Sequence, residues 1–195
     1  MAKLKKMNRR TRYTINVIKE SFLKLIDQKS YSKITITQIC KDSNITRSTF
    51  YLHFNSLTEL LNEVIDDALY LSTKTYDVPL LSNTEYLQNN ESLLPACQRI
   101  GDSPKYQNLL MDDDLSEYII GRIMKHERAY VIPSIIEKTG LSKTKAESLF
   151  RYVIHGSFAV NRAHHFVKSD DWKQDMQMLN DFTEAGYQKV KKNSK

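Results

Sequence analysis

Arg47 to Phe54 reads RSTFYLHF, a stretch whose residue types suit the reading of nucleic-acid bases better than the building of a core. Phe50 and Phe54 stand four apart and can anchor one face of a helix. That leaves Arg47, Ser48, Thr49, Tyr51, Leu52 and His53 as a mixed face of donors, an aromatic hydroxyl and one apolar tip. In a helix-turn-helix the N-terminal residues of the second helix meet base edges in the major groove, and an arginine there can pair bidentately with guanine. The plainer reading is an ordinary three-helix surface motif.

The neighbouring residues supply the helix starts that would hold such a segment. Thr35 with Gln38 forms a capping box, predicting a helix from about Ile36 with Ile39 and Cys40 turned inward. The run Ser43-Asn44-Ile45 ends it, with Asn44 able to take the left-handed conformation. Thr46 caps a second helix, expected over Arg47 to Phe54, and Ser56 with Glu59 opens a third directly afterwards.

At these residues the sequence resembles the TetR family of bacterial transcriptional regulators. The threonine-led first motif helix, the block TFYLHF and the block FNSLTELL carry the resemblance, over about residues 10 to 60. It implies a DNA-binding role for Thr35, Thr37, Arg47, Ser48, Thr49, Tyr51, Leu52, His53, Ser56 and Thr58, with Tyr51, His53, Ser56 and Thr58 as phosphate contacts. It further implies a double-stranded DNA partner, a homodimer built from the last two long helices, and a fourth helix acting as a lever to a regulatory domain. The sequence departs from the family at two places. Asn44 stands where a glycine is common, which the backbone tolerates. Leu57 stands where a lysine often touches phosphate, which shifts backbone grip toward the N-terminal arm.

That arm holds the net charge. Residues 1–12 contain Lys3, Lys5, Lys6, Arg9, Arg10 and Arg12 and no acid, while the rest of the chain balances to zero out of a total of +6. A basic arm beside a reading helix suits phosphate neutralisation or minor-groove entry; a solubilising tail is the alternative. The composition, 41% hydrophobic and 27% charged, is that of a globular protein, and only five Gly and four Pro with no sustained alternation favour an all-α fold. No 18-residue apolar run or signal-peptide core exists, so no membrane role and a cytoplasmic location are expected. The two cysteines, Cys40 and Cys97, suggest packing in a reducing compartment.

A first helix is expected from about Thr11 to Gln28, striped by Ile15, Ile18, Phe22, Leu25 and Ile26. The fourth is expected from Ser56 through Leu71. A polar stretch around Pro79 separates these from further helices over Glu91 to Ile100, Pro104 to Met111 and Leu115 to Lys138. The last of these should be interrupted or bent at Pro133 and end at Gly140. Two more should run from Ser142 to about Val167 and from Asp170 or Asp171 through Tyr187. The expected organisation is an arm over 1–12, a helix-turn-helix domain over 13–70, and a helical regulatory and dimerisation domain over 71–195. Ile154, Phe158, Met176, Leu179 and Phe182 would suit an intermolecular four-helix bundle.

In the second domain, Tyr118, Arg122, Met124, Tyr130, Phe150, His155 and Phe158 are candidates for an effector pocket, with Arg122, Arg151 or Arg162 available for an anionic group. As helically spaced apolar and aromatic residues, most of them read first as plain core or surface. His126, His155, His164 and His165 lack the i, i+4 spacing of a helical metal site, and no metal or other cofactor is expected. His155 with His126 and Asp112 could meet only through tertiary proximity. The run Asp112-Asp113-Asp114 is expected to cap the helix beginning at Leu115. With no phosphate loop, nucleophile elbow or paired nucleophile and histidine, an enzyme is not expected. The functional expectation is a sequence-specific DNA-binding regulator, a repressor released from a palindromic operator by a small-molecule effector. The alternatives are a TetR-fold adaptor or coactivator working through a protein partner, and a metal-responsive sensor.

Overall fold

A computed structural model of the chain describes residues 8–75 and 96–193. Among the described residues the chain is helical, with no strand. The order is α1 (Arg9–Ile26), α2 (Ile36–Asp42), α3 (Arg47–Tyr51), α4 (Leu57–Thr75), α5 (Ala96–Gly101), α6 (Pro104–Met111), α7 (Ser116–Thr139), α8 (Lys143–Ala163) and α9 (Asp170–Asn193). Short 3-10 turns lie at Tyr31–Lys33 and Asp113–Leu115.

The motif half, residues 8–75, follows its local signals closely. Asn8 accepts from the Arg10 amide at 3.3 Å, so α1 opens two residues earlier than expected and takes Arg9, Arg10 and Arg12 into its first turns. Ile18, Phe22, Leu25 and Ile26 bury its inner face. The Thr35 hydroxyl accepts from the Gln38 amide while the Gln38 carbonyl oxygen accepts from the Thr35 amide, completing the capping box of α2. Asn44 has φ 52°, a conformation that costs most side chains about 1–2 kcal/mol but suits Asn. The N-terminal end of the expected 91–100 helix, the 76–90 stretch and arm residues 1–7 lie outside the described residues.

The C-terminal half departs from expectation where tertiary packing overrides local pattern. Helix α8 stops at Ala163, short of Val167, because His165 and Phe166 both turn left-handed, with φ 52° and 57°. The turn drives the Phe166 ring into the core against Phe158, at 5.8 Å and edge-on, and over Gly101. A Cβ at Gly101 would lie 2.7 Å from that of Phe166, so the residue must be glycine for the ring to seat. Burying the ring contributes about 1.5–3 kcal/mol, comparable with the backbone cost of the turn. Beyond it the Trp172 indole donates to the buried Asn161 side chain at 2.8 Å, pinning α9 to α8. Pro133 does not interrupt α7, which runs as one helix to a left-handed Gly140.

One cluster of buried apolar side chains runs from α1 through α4 into α5, α6, α7 and α8. Ile154, Phe158 and Met176 belong inside the chain and Leu179 is half-buried, so of the stripe expected between two copies only Phe182 is exposed. Among the described residues, the large apolar side chains left outside on α8 and α9 are Tyr152, Met178 and Phe182, at 66, 60 and 66% exposure. No described helix is long and apolar enough to cross a membrane.

Candidate nucleic-acid interface

Helix α3 is only five residues long, ending three short of expectation, yet its placement is strongly determined. Thr46 accepts from the Thr49 amide at 3.1 Å, and its hydroxyl meets that of Thr49 at 2.9 Å. Phe50 and Phe54 are buried, their rings 5.7 Å apart, and lock the segment onto the core. Ser56 accepts from the Glu59 amide at 3.1 Å, but Glu59 reaches back to the Asn55 amide at 2.6 Å, one residue earlier than in a standard box. Both ends of the Phe54–Ser56 turn are therefore tied, and α4 starts at a fixed angle to α3.

What these anchors leave outside is the polar set expected from the sequence. Thr35, Thr37, Arg47, Ser48, Tyr51, Ser56 and Thr58 are exposed, Thr49 and His53 are half-buried, and Leu52 stands 80% exposed at the tip. The Arg47 guanidinium donates to the Thr37 hydroxyl at 3.5 Å. The neighbouring Tyr51 hydroxyl, as a hydrogen-bonding group, pushes the guanidinium pKa up. Beneath it, burial pushes the Cys40 thiol up, with Arg47 pulling the other way. Cys40 and Cys97 are both buried and neither is in a disulfide, as a packing role requires. Leu57 is half-buried against the core, so the position that often carries a phosphate-binding lysine here contributes packing.

Three arginines occupy the opening of α1 with no acid in its first turn. Cations there oppose the helix dipole, whose positive end favours anions. The arrangement is costly for an isolated helix and favourable beside a polyanion.

Residues 22–64 match the family described as bacterial regulatory proteins, tetR family. Over that stretch the motif half is similar to the DNA-binding part of TetR-family regulators. A stretch of 64 residues is 39% identical to an uncharacterized HTH-type transcriptional regulator, YxbF, of Bacillus subtilis; it covers 32% of this chain and 17% of that protein. No solved structure matches the chain significantly. The TetR match ends within α4, before the C-terminal half.

In that half the expected pocket residues disperse. Tyr118 donates to Asn62 at 2.6 Å and Arg122 pairs with Asp66, so both bind α7 to the TetR-type α4. Phe158 is core, Tyr130 stands exposed on α7, and half-buried His155 faces Glu117 at 3.8 Å. Arg162 donates to the Met111 carbonyl, Ser116 and Asp113, far from any ligand role. Of the expected residues, only Met124, Phe150 and Arg151 share a groove, between α7 and α8, and sequence reasoning missed its other walls: Gly121, Lys125, Arg128, Ile132 and Glu147. Their signal was available, since 121, 125, 128 and 132 follow helical spacing on one face.

The acidic run also serves differently from expectation, because α7 begins at Ser116 behind a 3-10 turn and has no side-chain cap. Asp112 accepts from the Asp114 amide at 2.9 Å and, with its other oxygen, from the Tyr31 amide at 2.7 Å. Asp114 takes the Ser32 amide at 3.4 Å. Lys105 to Glu20 at 2.6 Å and Asn108 to Asp27 at 2.9 Å extend this polar seam along α1. Two of the histidines have carboxylate partners: His126 meets Glu127 and His164 meets Asp175. Among the described residues no group of three potential ligands could hold a metal.

Proposed function

We propose that the protein is a sequence-specific DNA-binding transcriptional regulator, a homodimeric repressor that reads a palindromic operator with one α3 in each half-site and is released by a small-molecule effector. The observation that carries this reading is Arg47, exposed beside Thr37 at the start of a helix capped by Thr46. Tyr51, His53, Ser56 and Thr58 are assigned to phosphates, and the arm with the α1 arginines to non-specific grip. The division into a reading domain up to about residue 70 and a regulatory domain beyond it belongs to the same proposal. The exposed Tyr152, Met178 and Phe182 support a bundle formed by α8 and α9 of two copies. The seam supports coupling, because a change in α7 or α8 reaches α4 through Tyr118 and Arg122 and the α1–α2 turn through Asp112.

The test is an operator selected from a random DNA pool, followed by binding measured for the wild type and Arg47→Ala at two salt concentrations. Wild type should show a steep salt slope. Arg47→Ala should lose about 1–3 kcal/mol on the selected site and relax preference at one base pair. Equal weakening on every sequence would make Arg47 a phosphate contact. No selected sequence at all would turn the reading toward a protein-binding adaptor.

A further inference from the structure

We infer that the groove between α7 and α8 is the effector site and that it takes an elongated amphipathic anion, a carboxylate on a hydrocarbon body. The inference rests on the effector-regulated reading above and names its ligand class. The groove has a volume of about 320 Å³, at the lower end of small-molecule sites. Its α7 wall runs from Gly121 to Ile132, which at 1.5 Å per residue is about 16 Å. A narrow site of that length fits a chain better than a fused ring system.

The chemistry of the walls sets the sign of the ligand. Met124, Ile132 and Phe150 supply apolar surface. The acid lining it, Glu147, is already paired with Arg128. Lys125 from α7 and Arg151 from α8 also line it, and among the described residues neither has a hydrogen-bond or ion-pair partner for its side chain. Two unengaged cations over an apolar floor match one anionic head and one apolar tail. The tail supplies affinity by burial, and the head supplies selection for charge.

The site is also placed to act. Gly121 adjoins Arg122, which holds Asp66 of α4, and Tyr118 one turn away holds Asn62. At the other end of α8, Arg162 holds Asp113 beside the Asp112–Tyr31 bond. A ligand that spreads α7 from α8 therefore pulls on both routes to the reading helix.

A Cβ at Gly121 meets nothing within 4 Å, so a large side chain there can enter the groove without displacing the fold. The experiment uses the full chain and isothermal titration calorimetry with octanoate, decanoate and 4-phenylbutyrate below micelle-forming concentrations, beside decanol and decyltrimethylammonium. The carboxylates should bind one per chain, the best of them at least tenfold tighter than decanol, and the ammonium should not bind. Lys125→Gln with Arg151→Gln should cost the carboxylate at least tenfold and leave decanol unchanged. Gly121→Phe should abolish both while circular dichroism and thermal unfolding remain those of a folded protein. No carboxylate binding, equal decanol binding, or binding indifferent to both variants would overturn the assignment. Operator affinity is read separately: carboxylate binding that leaves it untouched would keep the site and sink its role as an effector, whereas failure of DNA binding alone would sink the regulator reading.

Discussion

Asn8, Thr35, Thr46 and Ser56 each stand in front of a helix of the motif half and accept a hydrogen bond from its first turn. Ser103, Leu115 and Ser142, at the starts of α6, α7 and α8, make no such bond, and in the second half Ser169 makes one for α9. The first half is specified turn by turn, through contacts three or four residues apart. The second leans more on what it packs against: Phe166 over Gly101, Trp172 on Asn161, Arg162 on the Asp113 turn. A segment fixed by its own caps moves as a unit and keeps its geometry. A segment fixed by distant partners can rearrange when one of them is displaced, which suits a reading head and a sensing body respectively.

The contrast is most exposed at Gly101. Gly101→Ala should destabilise by about 1–3 kcal/mol, because the added methyl overlaps three atoms of the buried Phe166 side chain. Thermal unfolding checks it, and a neutral result would show that the Phe166 turn yields easily. Thr46→Ala should cost about 1 kcal/mol and fray only α3; a loss exceeding that of Gly101→Ala would reverse the comparison.

A smaller effect, silent at neutral pH, lies at the seam itself. Burial pushes the Tyr106 phenol up to about 12, helped by the carboxylates of Asp67 and Glu20. Its contribution is fully present below the ordinary value of 10.0 and is lost as pH rises through about 12, since the unfolded chain releases the proton first. Denaturant titrations across that interval should show falling stability in the wild type and a flatter profile in Tyr106→Phe. Tyr187, also raised by burial and by Glu184, would account for the residual slope.

The same contrast explains what could be read from the chain alone. Thr35 with Gln38, Thr46 before Arg47, and Asn44 at the turn each carry their consequence within a few residues, so α2, the turn and the start of α3 were legible. The end of α3 was not, because Phe54 keeps helical spacing to Phe50 while sitting beyond the last helical turn. His165 and Phe166 look like continuing helix, and only the seat over Gly101 that the Phe166 ring fills dictates otherwise. Asp112 looks like a cap for α7, and only the position of Tyr31, 81 residues earlier, makes it a tie between halves. Tyr118 and Arg122 resembled pocket lining because residue type says nothing about which neighbour a long side chain will reach.

Pro133 sits in the middle of α7 and has no amide to offer the carbonyl of Ala129, and both residues face outward. The helix is continuous in shape but lacks one rung, and water can stand in for it on the exposed side. In hydrogen–deuterium exchange the helix should therefore behave as two protected segments that meet near residue 130. The N-terminal segment carries Tyr118 and Arg122, and the C-terminal one runs to Gly140. Each can open without the other, so strain arising at one end of α7 need not spread along its whole length.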